Sequence, residues 1–170
     1  SSDVCSSDLW SAYFYLHFYT VNTAKLSDNV WKEAEKMLEQ IQKYTQKEEY
    51  QKLVEADRID LYEREAEKGD DRKFLEETDR VFKENLKGDP AWKLYERKLV
   101  YLESKQPDIS REFERFLKKY PKVMDAYVEY SIYLCRNNKM TQAQRIYREG
   151  RKQTGMTSKR AEELRRKLGL

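Results

Sequence analysis

The chain has 170 residues, with 34 Lys and Arg against 31 Asp and Glu, for a net charge of +3. Five Gly and three Pro cannot supply the turn every ~8–12 residues that a β-sandwich or barrel requires, and eight Val with five Ile are too few for a buried parallel sheet. Two Cys and a single His exclude a disulfide framework and a His-rich zinc site.

No Gly-rich phosphate loop and no Ser–His–Asp set can be assembled. The fold class is therefore all-α, and the chain reads as non-enzymatic, with no cofactor and no small-molecule substrate. Charged residues make up 38% of the chain, yet 13% are aromatic, and disordered chains are poor in aromatics. A thin aromatic core between wide charged faces describes a helical array better than a compact globule.

Taken in order, the opening segment Ser1 to Leu9 differs in composition from everything after it. It resembles translated sequencing-adapter read-through. Residues 1–9 are thus expected to be a non-native or disordered leader, a flexible native tail being the alternative, with a single domain over 10–170. Residues 9–24 carry no Asp, Glu, Lys or Arg. They are shorter and more polar than the ~20 apolar residues of a spanning helix, so an aromatic-faced helix through Trp10, Tyr13, Phe14 and His17 is expected in place of a membrane anchor, and the location is read as cytoplasmic.

Asp28 is a suitable N-cap for a helix with Trp31, Ala34, Leu38 and Ile41 on one face. The spacing predicts a second helix over 48–68 through Ile59, Tyr62 and Ala66. Asp71 caps a third, carrying Phe74, Leu75, Val81, Phe82 and Leu86. Gly88-Asp89-Pro90 then starts a helix with Trp92, Tyr95, Leu99 and Leu102, since proline suits the first helical turn. Asp108 caps a short helix with Phe113, Phe116 and Leu117. Helices over 123–136, 141–153 and 158–168 complete the chain, and the short joints between them imply antiparallel neighbours.

These helices repeat. Leu61-Tyr62-Glu63-Arg64 recurs as Leu94-Tyr95-Glu96-Arg97, and in the alternate helices residues 79–83, 114–118 and 144–148 align on Arg80, Arg115 and Arg145. The period resembles the tetratricopeptide repeat and its relative, the half-a-tetratricopeptide repeat of RNA-processing factors. Tyr127, Tyr130, Ser131 and Leu134, followed by Ala143, Tyr147 and Gly150, are similar to the family pattern of large and small residues. Gly155 stands where that pattern has proline, and Glu96 and Phe113 stand where the preceding unit should have small residues. The units fall at 56–89, 90–122 and 123–155, with a capping helix at 158–168. Trp10, Tyr13, Ala34 and Leu38 suggest a fourth unit.

The resemblance implies an α-solenoid, a right-handed superhelix of helix hairpins whose first helices line a concave groove. It places Arg64, Lys93, Arg97, Val128, Ile132, Cys135 and Arg136 at groove-facing positions. The implied function is a non-catalytic scaffold that binds a peptide or helix of another protein there. Brought together on successive first helices, Arg64, Lys93, Arg97 and Arg136 are expected to make a locally positive strip, although the resemblance would place a base or amide where Asp125 and Glu129 stand. Residues 136–170 carry eleven Lys and Arg against Glu149, Glu162 and Glu163. Arg160, Arg165, Arg166 and Lys167 are therefore a basic patch that either caps the array or contacts RNA or an acidic protein. The alternatives to the scaffold are an RNA-processing assembly factor and the helical accessory domain of a larger enzyme.

Overall fold

The computed structural model describes residues 35, 36, 38–40, 42, 43 and 48–170. The leader, the aromatic run from Trp10 to His17, and the positions of Trp31, Ala34 and Ile41 lie outside the described residues. The chain divides into two compact units, Ser1–Glu77 and Thr78–Leu170. Every described element is helical: α1 (Glu48–Glu67), α2 (Arg72–Thr78), α3 (Arg80–Lys83), α4 (Gly88–Glu103), α5 (Ser110–Lys119), α6 (Met124–Arg136), α7 (Met140–Thr154) and α8 (Lys159–Lys167).

In the first unit, α1 buries Val54, Ile59, Leu61 and Ala66, and Leu38 and Phe74 are buried as well. Lys73 pairs with Glu35 and lies 3.8 Å from Glu65, with its ammonium 5.6 Å from the Tyr62 ring centroid. The helix expected from Asp71 to Leu86 is interrupted at Asp79 and falls into α2 and α3. The reason is chemical. Aspartate is a poor helix-interior residue because its carboxylate competes for other donors, and here that carboxylate accepts from Lys98 at 3.0 Å and Arg115 at 3.2 Å. The repeat expected over 56–89 contains both this break and the division between the units.

The second unit is built on aromatic rings. Tyr95 stacks on Phe116 at 5.1 Å, Trp92 meets Phe116 edge-on at 5.1 Å, and Phe113 stacks on Tyr130 at 4.7 Å. Such pairs add about 0.5–1.5 kcal/mol each beyond the area they bury. They also act as spacers, because α4 and α5 are joined through the rings of Trp92 and Phe113, 6.5 Å apart. Helices α6 and α7 do the opposite. Ser131 and Ala143 are fully buried, and a Cβ on Gly150 would fall 2.5 Å from Tyr127 Cβ. Tyr127 near the start of α6 thus lies against Gly150 near the end of α7, so this pair folds back on itself at close range.

Local signals account for the ends of these helices. Asp108 accepts from the Ser110 amide at 2.8 Å and is further held by Lys139 at 2.7 Å; chiefly that Lys139 hydrogen bond keeps its carboxyl well below the usual range. Pro90 lies in the first turn of α4, where its missing N–H has no intrahelical partner to lose. Gly155 ends α7 with φ +83°, a left-handed conformation that glycine adopts without a Cβ penalty. Ser158 caps α8 by accepting from the Ala161 amide, and Tyr147 fastens α7 to α8 by donating to the Ala161 carbonyl at 3.1 Å.

Candidate peptide-binding face

Ion pairs link α6 to both α4 and α8. Arg136 of α6 reaches Glu103 of α4 at 2.9 Å, and Arg160 of α8 pairs with Glu129 of α6. A helix turns 100° per residue, so Lys93, Arg97 and Val100 share one outward stripe on α4. Lys93 is exposed, and Val100 is 64% exposed although apolar. Arg97 is half-buried. Ile132 and Cys135 on α6 are likewise half-buried, and burial raises the Cys135 thiol above its ordinary pKa.

Three expectations for this face need correction. Val128 is only 1% exposed and belongs to the core, because its position on α6 falls among Tyr127, Ser131 and Tyr130, all buried. Arg136 is not a free groove cation, since Glu103 neutralises it. The strip is also not simply positive. Burial raises the Glu96 pKa, and the neighbouring charges of Glu129 and Asp125 raise it further, against the lowering effect of Arg160. Glu96 of α4 thus lies close enough to Glu129 and Asp125 of α6 to feel their charge, a juxtaposition set by residues some 33 positions apart. Arg64 lies on α1 in the first unit, half-buried.

The basic patch is divided too. Arg160 is committed to Glu129, and Arg165 holds Glu162 at 2.9 Å and the Leu170 carbonyl at 2.8 Å. Arg166 and Lys167 remain exposed with no ion pair among the described residues.

Two features carried no obvious motif. The first is a buried ionic cluster centred on Lys98, which is 5% exposed. Its ammonium donates to Asp79 at 3.0 Å and Glu112 at 2.8 Å, Tyr95 donates to the same Glu112 carboxylate, and Arg115 covers the Phe82 ring at 4.3 Å. Burial opposes the charge on Glu112, but hydrogen bonds from Lys98 and Tyr95 outweigh it and lower the Glu112 pKa. The signal was present: a lysine inside the apolar stripe of Trp92, Tyr95, Leu99 and Leu102 must find carboxylate partners or be excluded from the core.

The second feature is a cleft of about 430 Å³ bordered by α5, α6 and α7, with Glu114 and Lys118 on one side and Arg145 and Glu149 on the other. Tyr127 and Tyr130 contribute to its lining, and burial pushes the Tyr130 hydroxyl up to about 12. Among the described residues no group of three His, Cys, Asp or Glu could hold a metal ion, and no helix is long and apolar enough to cross a membrane. Compared with protein-family models, curated proteins and solved structures, the chain matches none.

Proposed function

We propose that the chain is a non-catalytic protein-interaction scaffold of tetratricopeptide-like design, and that it binds a peptide segment of a partner on the outward face of α4, α6 and α8. The observation that supports this reading is the stripe of Lys93, Arg97 and Val100. A side chain as apolar as Val100, 64% exposed on the same stripe as the exposed Lys93, offers an anchor for one apolar residue beside a donor for a carboxylate. The close pairing of α6 and α7 and the recurring helix order are what a solenoid of hairpins requires. The acids Glu96 and Glu129 narrow the ligand: they disfavour a uniformly acidic segment and favour one carboxylate, or a free C-terminus, next to an apolar side chain.

Panning a random displayed-peptide library against the chain tests this. Enrichment of sequences with an Asp, Glu or terminal carboxylate beside Leu, Ile or Phe is expected. Lys93→Glu/Arg97→Glu should abolish binding of the enriched peptides with helicity and thermal stability unchanged, and weakening salt dependence should accompany the loss. Retained affinity in that variant refutes the site.

A further inference from the structure

Several cations of the second unit hold a carboxylate, among them Lys98, Arg115, Arg136, Lys139, Arg160 and Arg165, while others, such as Lys93, Arg166 and Lys167, are exposed with no ion pair among the described residues. On α7, Arg145, Arg148, Arg151 and Lys152 are all exposed and form no ion pair among the described residues. Glu149 is the one acid among the exposed positions of this helix.

Geometry makes three of these cations a line. The opposite side of α7 is pinned by buried Ala143, Ile146, Tyr147 and Gly150, which fixes the helix rotation. Arg145, Arg148 and Lys152 then point away from that side, at i, i+3 and i+7, over about 10 Å of helix at 1.5 Å per residue. Neighbouring like charges at such spacings repel and weaken a helix, and Glu149, at i+4 from Arg145 and i−3 from Lys152, is the one acid of α7 placed to offset this repulsion. Lys118 of α5 faces the same cleft as Arg145, in company with Glu114 and Glu149.

The composition of the face distinguishes its ligand. Protein interfaces form around an apolar or aromatic centre. Among the described residues the exposed large hydrophobics are Val100, on another helix, and Met140, at the very start of α7 and off the cation line. A polyanion needs no such centre, because its affinity comes from charge neutralisation and counterion release. We propose that the outward face of α7 binds the phosphodiester backbone of a nucleic acid, with Arg145, Arg148 and Lys152 as the phosphate contacts. With no exposed aromatic among the described residues to stack on bases, recognition is independent of sequence. The surface is separate from the α4 stripe, so the inference does not rest on peptide binding there.

Fluorescence anisotropy with labelled 20-nucleotide RNA and DNA, each single-stranded and duplex, and a poly-glutamate peptide of equal charge gives the test. Three phosphate contacts predict that affinity falls about 20- to 40-fold between 50 and 200 mM salt, from a slope of roughly −0.7 to −0.9 per contact. Arg145→Gln/Arg148→Gln/Lys152→Gln should bind at least ten times more weakly and lose most of that slope, with an unchanged circular dichroism spectrum. Arg145→Lys/Arg148→Lys should keep the slope, and Arg166→Gln/Lys167→Gln should bind like the parent chain. Tighter binding of RNA or of DNA identifies the source of the backbone, and either supports the proposal. Absence of nucleic-acid binding, poly-glutamate binding as tight as nucleic acid, or an unaltered slope in the triple variant overturns it.

Discussion

Replacing Gly150 by alanine sets two effects of opposite sign against each other. Alanine in a helix interior is worth about 0.5–1 kcal/mol more than glycine, since it loses less backbone entropy on folding. Propensity alone therefore makes Gly150→Ala stabilising. The added methyl, however, would meet Tyr127 Cβ at 2.5 Å, Tyr127 Cγ at 2.6 Å and Met156 Cε at 2.2 Å, against roughly 3.5–4.0 Å for carbon atoms in contact. Met156 ends in a flexible thioether and can move. Tyr127 cannot, because its contacting atoms are the root of a side chain only 2% exposed.

Relief then requires α6 and α7 to separate by about an ångström, estimated from that contact distance, which loosens the packing around Ala143 and Tyr147. Overpacking of this kind costs about 1–3 kcal/mol, enough to exceed the propensity gain, so a net destabilisation of about 1–2 kcal/mol is expected. Urea titration followed by far-ultraviolet circular dichroism and tyrosine fluorescence reads it as a lower midpoint with an unchanged m-value. A gain of 0.5–1 kcal/mol, the propensity term unopposed, would show that the two helices do not approach as closely as Gly150 requires.

Other outcomes follow from the same core. Ala143→Leu should overpack the α6–α7 pair by about 1–3 kcal/mol, and Tyr147→Ala should cost about 3–5 kcal/mol because it also removes the bond to Ala161; near-zero losses at both, measured by urea titration, would mean the helix register is wrong. Lys98→Met should destabilise the second unit by about 2–3 kcal/mol, less than the full cost of breaking a buried pair, since Arg115 remains near both carboxylates. Loss of stability on acidification should be steeper in the parent chain than in Glu112→Gln. The folded-state pKa of Glu112 is depressed, so its contribution is present above the unfolded pKa near 4.3 and disappears as pH falls through the folded value. Parallel acid titrations of the two proteins would contradict this.

Helix type and most helix ends were legible in the sequence because their causes are local. Asp108, Gly155 and Ser158 act on amides and dihedrals within a few residues, and the apolar spacing from Trp92 to Leu102 and from Ala143 to Gly150 identifies a buried side without reference to any partner helix. Close pairing of α6 and α7 was foreshadowed by Ser131, Ala143 and Gly150, since small residues are what near approach demands.

The candidate surface was harder to read, for a physical reason. Whether a surface cation is free depends on which carboxylate lies across the helix boundary, and that depends on the relative register of helices tens of residues apart. Glu103 reaches Arg136 and Glu129 reaches Arg160 only once α4, α6 and α8 are packed, and periodicity within one helix carries no such information. Val128, placed on the groove by the resemblance, is closed over by its neighbours. The break at Asp79 was likewise a tertiary decision, because Lys98 and Arg115, 19 and 36 residues away, compete for its carboxylate. Local chemistry determined the helices; long-range packing decided which of their charges remain available for a partner.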